Sequence, residues 1–413
     1  MRLPFPRPSM DRMNRTFVAP AVSWAPIIGS GVSFLVAISG LWAIIRIAHG
    51  DFPLVRRKEI VWIASAFAAL FLVEALCGLL TYNGMPTIGE IVDRLPFLLF
   101  LPIYSRLRLS KPEDIRYAVE IAALASAFAT LAIAICQVGD LGIRAEGSAG
   151  NAGPFAIGAL IAYTVNLLAA MRMERWKKLL FGLAAAAAAA AVLLSGMRSV
   201  WPALILVPII AAFVYKKHAG TRSILWALAV ATVAVAVFGF AVSGFIGDRI
   251  SSGVKDIAAI ESDNYSGSLG ERLIVWKLGA ELFEKAPLFG QGPGHAAELL
   301  GQGTKAITGR DFHFSHYHNV FLNFAVRDGI LGVLAILGLI FVPPLVCMRH
   351  AGTEIGAYGL AFVLSIEACY LLSGLFGIMF GHDIFDAVFI ISTVVAAFLV
   401  FESKPPERPA KFL

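Results

Sequence analysis

Ser315-His316-Tyr317-His318-Asn319-Val320-Phe321-Leu322-Asn323-Phe324-Ala325-Val326-Arg327-Asp328 leads straight into Gly329–Cys347, GILGVLAILGLIFVPPLVC. The second half is apolar over the length that crosses a bilayer, about 20 residues. The first half sets imidazoles, amides and an Arg/Asp pair at the mouth of that span, where polar groups are costly unless they serve a site. Were the chain helical from residue 316, His316, Asn319, Asn323 and Arg327 would share one stripe and His318, Leu322, Ala325 and Gly329 another. Only one histidine is then expected to face a given site.

Outward from this stretch the same apolar pattern repeats. Of 413 residues 58% are hydrophobic and 15% charged, far from the composition of a soluble domain. Runs of spanning length are read at 59–80, 114–138, 153–171, 177–195, 199–215, 223–246, 329–347, 355–378 and 384–401. Residues 95–107 form a shorter run flanked by Glu90, Asp93 and Arg94, and count as a span tilted into protein or extended through those charges. Phe17–Ile47 covers 31 residues with Pro20, Pro26 and Gly29-Ser30-Gly31 inside it.

Charge decides between one span and two there. Loops alternate between rich and poor in Lys and Arg, and the rich ones belong in the cytoplasm. The amino terminus, with Arg2, Arg7, Arg12 and Arg15, joins the cytoplasmic set only if 17–47 is a helical hairpin. The expected fold is therefore an all-α polytopic membrane protein of about twelve transmembrane helices with both termini cytoplasmic. Helices 1–9 fall in residues 1–246, a large periplasmic loop in 247–317, and helices 10–12 with a cytoplasmic tail in 318–413. No small-residue cleavage site follows the first apolar run, so the amino-terminal segment is expected to stay attached.

The net charge of +6 is spread over these short loops and describes topology, not nucleic-acid binding. Cys77, Cys136, Cys347 and Cys369 all lie in apolar runs and read as small buried hydrophobes. The Ala184–Ala191 octamer reads as close helix packing through small side chains.

The outer loop contains one clear helix, 268–286. Ser268-x-x-Glu271 has capping-box spacing, and Leu269, Leu273, Trp276, Ala280 and Phe283 recur at helical steps up to Pro287. This describes an amphipathic helix on the outer membrane face, with Arg272 in its first turn. Gly290-Gln291-Gly292-Pro293-Gly294-His295 reads as a tight chain reversal.

Two ingredients of a site remain. His295, His313, His316 and His318 fall within 24 residues. A zinc site built on His316 and His318 with Asp311 or His295 lacks a ligand at diagnostic spacing. A metal-free general base needs only one positioned imidazole; solvated interfacial histidines are the plain alternative. Arg144, Arg198 and Arg272, distant in sequence, are expected at one membrane depth. A guanidinium fork suits phosphate oxygens, although lipid headgroups would also anchor such residues. Nucleotide sugars are not supplied outside the membrane, so an outward-facing transferase would take its sugar from a lipid diphosphate.

His318-Asn319, nine residues, then Gly329-Ile330-Leu331-Gly332 resembles the His-Asn-x9-Gly-x-x-Gly signature of the O-antigen ligase and polymerase superfamily of bacterial membrane glycosyltransferases. Arg272-x3-Trp276 with Pro287, Gly290 and Gly292 is similar to the opening of that family's periplasmic loop. Ser195-Gly196-Met197-Arg198 resembles its Ser/Gly-Arg turn, and Arg144-Ala145-Glu146-Gly147 with Asn151 resembles its Arg-x-x-Gly…Asn stretch. The last departs from the family's Asn-Pro-Asn, reading Asn151-Ala152-Gly153-Pro154. The resemblance covers about 140–335 of the sequence.

It implies an inverting, metal-independent and cofactor-free transfer from an undecaprenyl-diphosphate-linked saccharide to a glycan acceptor. The acceptor would be a lipid-linked glycan or the lipid A core, and the site would face the periplasm from the bacterial inner membrane. His318 would be the base; Arg198, Arg272 and Arg144 would hold the diphosphate; His316, Asn319 and Trp276 would support them. The loop 247–317 has seven basic and nine acidic residues, which leans toward a surface-polysaccharide polymerase, because a receptor for phosphate-rich lipid A should be basic. The rival is a transporter or flippase of lipid-linked saccharides, which should place ionisable groups mid-span in paired repeats. Glu74 and Glu367 read instead as isolated buried acids.

Overall fold

The computed structural model describes residues 10–241, 267–309 and 314–403, with single positions 244, 247, 251, 254 and 255. Asp311, His313, most of 248–266, the end of the 223–246 run and the basic tail lie outside the described residues.

Among the described residues all regular structure is helical, and the chain is an all-α polytopic membrane protein. Nine helices among the described residues are long and apolar enough to cross a membrane: Gly31–Ala48, Lys58–Leu80, Pro112–Asp140, Ala152–Arg172, Arg175–Leu194, Arg198–Tyr215, Val320–Met348, Glu354–Gly374 and Asp383–Glu402. Three of the twelve expected spans do not meet that measure. Met10–Ser23 has 14 residues. The 95–107 run is a 3-10 turn Leu95–Leu99 followed by Phe100–Leu107. Thr221–Ala241 covers the described part of the third.

The amino-terminal 31-residue run folds back on itself. Asn14 Nδ2 donates to Arg106 O at 3.1 Å and to Ser110 Oγ at 2.8 Å, and Val55 N, beyond the second arm, donates to Ser105 Oγ at 3.0 Å. Both ends of the segment therefore meet 105–110, while the apex at Gly29, with φ +55°, abuts the Ser148 carbonyl. The geometry is that of the expected hairpin, with Pro26 and Gly29 at its bend.

Two spans, Ala152–Arg172 and Asp383–Glu402, are buried along their whole apolar length and form the centre. Ala184, Ala185 and Ala187–Ala191 are buried, so the alanine run packs closely, since small side chains let helix backbones approach. The outside is apolar in turn: Phe34, Trp62, Leu79, Phe213 and Leu334 are exposed, as lipid-facing surfaces should be. Cys77, Cys347 and Cys369 are buried, but Cys136 is exposed, contrary to its reading as a buried hydrophobe.

Val320–Met348 is broken at Gly329, whose φ of 65° is not helical. The break frees the carbonyls of Val326 and Arg327, which accept from Gln291 N at 2.7 Å and Gly292 N at 2.9 Å, while Ile330 N donates to Pro287 O at 2.8 Å. A Cβ on Gly290 would stand 2.5 Å from Arg327 C and one on Gly329 2.4 Å from Leu288 C. The glycine-rich turn does reverse the chain, and it also pins the loop that carries it to the span.

Arg327, beside this break, meets a buried charge network. It pairs with Glu74 and, at 2.8 Å, with Glu90; Arg94 Nε lies 2.9 Å from Glu74 Oε2, and Arg94 Nη1 lies 3.6 Å from Asp386 Oδ2. Glu74 is thus not an isolated acid: its two partners, Arg94 and Arg327, come from separate parts of the chain. Glu367 is buried, with no hydrogen-bond partner on either oxygen among the described residues. Removing one member of a buried ion pair strands the other's charge in low dielectric, at about 3–5 kcal/mol. Arg327→Ala should accordingly lower the thermal midpoint in detergent sharply. Arg46→Ala, which breaks the half-exposed pair with Asp51, should leave it nearly unchanged. Equal midpoints for the two variants would deny the network its structural role.

Candidate active site

The helix Arg175–Leu194 ends in a turn built by Ser195. Its Oγ donates to Val192 O at 2.6 Å and accepts from Met197 N at 3.1 Å, and Gly196 supplies the left-handed residue, φ 65°. A 3-10 turn, Arg198–Val200, then leads into the next span. Arg144 Nε donates to Ser195 O at 3.0 Å, and Ala145 N to Leu194 O at 3.4 Å. Gln137 Oε1 accepts from Glu146 N and Gly147 N at 2.8 and 2.9 Å. The two arginine-bearing segments are thereby one tied unit, and Asn151 ends it by capping Ala152–Arg172 through Gly153 N at 2.8 Å.

Arg272 comes from the loop helix Ser268–Lys285, which starts after Gly267 and stops before Pro287. Its buried face is Val275, Leu278 and Leu282, packed with Ala296 and Leu300 of the next helix and with Tyr317 and Val326. The expected stripe is a different face: Leu273 is 39% exposed, and Ala280 is exposed as well. Gly267, not Ser268, occupies the cap position. The helix carries two apolar faces, and partners in the fold choose which is buried.

The histidine stretch is not helical. The helix begins at Val320, capped by Asn319, whose Oδ1 accepts from Leu322 N at 3.1 Å, so the two-stripe reading fails. Tyr317 is buried and donates to Ala296 O at 3.0 Å, anchoring the segment to the loop helices. His318 is left-handed, φ 50°, a conformation that strains a residue bearing a Cβ and tends to persist where surrounding structure enforces it. The His316 and His318 rings lie 4.4 Å apart, and Phe314 stands edge-on to His318 at 5.0 Å.

These segments enclose one cavity of about 830 Å³ lined by Arg144, Arg198, Arg272, His316 and His318 together. Both histidines therefore face the same space, contrary to the expectation that only one would. Burial and the Arg272 guanidinium push His318 down to about 4. Burial, His318, Arg272 and His382 push His316 down to about 3. Both shifts favour the neutral imidazoles, so the cavity brings three guanidinium groups together with two histidine rings that disfavour a proton.

Asn319 and Trp276 are outside the lining. Asn319 serves as helix cap and donates to Leu375 O at 3.3 Å, and Trp276 stands 6.5 Å, ring to ring, from Phe376, which does line the cavity. His382, Phe376, Phe385 and Glu146 also line the cavity, although no motif or spacing in the sequence singles them out for it. His295, in the suspected zinc cluster, does not line the cavity. Among the described residues no three His, Cys, Asp or Glu side chains are placed to hold a metal ion.

The family model of the O-antigen ligase matches residues 183–337, which includes the Arg198 turn, the loop helix, the histidines and the broken glycine pair. An uncharacterized protein of Haemophilus influenzae is 27% identical over 185 residues, 44% of this chain and 46% of its own length. An O-antigen ligase of Escherichia coli K12 is 22% identical over 268 residues, 63% of this chain and 62% of its own length. The chain thus spans about half to three-fifths of these relatives. Over residues 183–337 the chain is thus similar to the O-antigen ligase family, and Arg198, Arg272 and His318 from that matched segment meet in one cavity.

Proposed function

We propose that this protein transfers a saccharide from an undecaprenyl-diphosphate carrier to a glycan acceptor at the periplasmic face of the inner membrane. The observation that carries the reading is the meeting of Arg144, Arg198 and Arg272 with two neutral histidines around one cavity. His318 takes the proton of the acceptor hydroxyl. The oxygen attacks the anomeric carbon from the side opposite the diphosphate; the new C–O bond forms as the bond to the phosphate oxygen breaks, and the configuration inverts. The arginines receive the charge of the departing diphosphate, which is where preorganised cations contribute most. No metal or cofactor enters this scheme.

The acid excess of 247–317 favours a lipid-linked glycan over the lipid A core as acceptor, and so a polymerase over a ligase. Pairing of Glu74 with Arg94 and Arg327 removes one argument against a transporter, so the test must separate transport from bond formation. Purified protein in detergent should move the saccharide from its lipid diphosphate to the acceptor with chelator present, giving a product heavier than the acceptor by the saccharide less one water, together with the released carrier diphosphate. Movement of lipid-linked saccharide across vesicles without a new glycosidic bond would overturn the reading, and loss on chelation with rescue by zinc would overturn its metal-free chemistry.

A further inference from the structure

The cavity has one wall without a cation. Residues 372–385, the connection between the spans Glu354–Gly374 and Asp383–Glu402, contribute Phe376, Ile378, His382 and Phe385 to it. Phe376 is 48% exposed and backed by Trp276, so an open aromatic face is held in place. His382 caps the last span. Its Nδ1 accepts from Ile384 N at 3.3 Å and lies 3.1 Å from Asp383 Oδ1, and Asp383 Oδ2 accepts from Ser33 Oγ at 3.1 Å. The ring is also fixed by Phe385 at 5.3 Å. With Nδ1 engaged, Nε2 is the nitrogen left for a ligand.

We propose that this wall is the subsite for the acceptor saccharide: Phe376 takes the C–H face of the sugar ring, and His382 Nε2 hydrogen-bonds a sugar hydroxyl. The inference rests on the transfer reaction proposed above. The arginine-bearing segments suit the anionic donor, whereas this wall offers what a neutral ring with hydroxyls needs. An aromatic face is electron-rich and attracts polarised C–H groups, and a few placed polar groups then fix orientation in a pocket.

The probes are the oligosaccharides released by mild acid from the host's lipid-linked glycan and from its lipid A core, each added alone. Wild-type protein in nanodiscs should show saturation-transfer NMR contacts with one of them. His382→Asn keeps a helix-capping side chain while shortening its reach, and Phe376→Leu keeps apolar bulk without the ring. Each should weaken oligosaccharide binding about fivefold, the loss of roughly one hydrogen bond or one stacking contact. Each should likewise raise the acceptor KM with the donor KM unchanged. Absence of wild-type binding to both probes, unchanged affinity in both variants, or an equal loss of donor affinity would each overturn the subsite. Wild-type protein that binds the oligosaccharide in this way but makes no product would keep the subsite and overturn the transferase reading.

Discussion

His318→Ala is expected to abolish saccharide transfer, at least about a hundredfold, the usual contribution of a positioned base, while His316→Ala retains measurable activity. The two imidazoles share one cavity, so the contrast rests on conformation and partners. His318 is held in the left-handed region, φ 50°, a strain of about 1–3 kcal/mol that the surrounding fold sustains. His316 accepts or donates a 3.0 Å bond with Ser315 Oγ. Because alanine is itself unfavourable at positive φ, His318→Asn is the control, since asparagine tolerates that conformation. Both variants should be inactive, and His318→Asn should be so at an unchanged melting temperature. An active His318 pair with a dead His316→Ala would reverse the assignment.

The pH profile gives the sign of the same argument. Burial and Arg272 lower His318 to about 4, so the free enzyme holds its base unprotonated throughout the neutral range. The kcat/KM value should stay level as pH falls from neutrality and drop only as pH approaches 4, where protonation removes the base. Replacing Arg272 with glutamine removes a cation that disfavours the imidazolium, so the acid limb should move upward. A limb near the ordinary histidine value in the wild type would mean that the base is not shaped by this neighbour.

Much of this was legible because it is local. Length and apolarity of a run are properties of consecutive residues, so Lys58–Leu80 and Asp383–Glu402 could be read nearly to the residue. Loop charge, a property of short segments, was enough to expect the 17–47 hairpin. What failed depends on partners distant in the chain. The loop helix offers Leu269, Leu273 and Trp276 on one face and Val275, Leu278 and Leu282 on another. Only the presence of Ala296, Leu300 and Tyr317 decides that the second is buried. Glu74 reads as isolated until Arg94 and Arg327 are folded against it. His382 was missed because a single histidine between two spans carries no spacing signal; the cavity that it lines exists only in the folded chain.

Arg272→Lys and Arg198→Lys should each cost activity although both keep the positive charge. An ammonium is a point charge with three rotatable donors, whereas a guanidinium offers parallel donors that match two phosphate oxygens at once. Loss of one such contact in the transition state is worth about 3 kcal/mol, more than a hundredfold in rate. The two residues reach the cavity from different supports, Arg272 from the loop helix and Arg198 from the 3-10 turn behind Gly196. A folding defect should therefore not affect both alike. Arg144→Lys tests something else, because Arg144 Nε already donates to Ser195 O. Its loss loosens the turn that carries Arg198 as well as altering cavity charge, so its effect should fail to add to that of Arg198→Lys, as for residues in one network. If the arginines act on the leaving diphosphate, the lysine variants lower kcat with little change in donor KM. An interaction equal in ground and transition states would raise KM alone. Near-normal rates for both Arg272→Lys and Arg198→Lys would show that only charge matters at those positions, and would remove the bidentate contact from the mechanism.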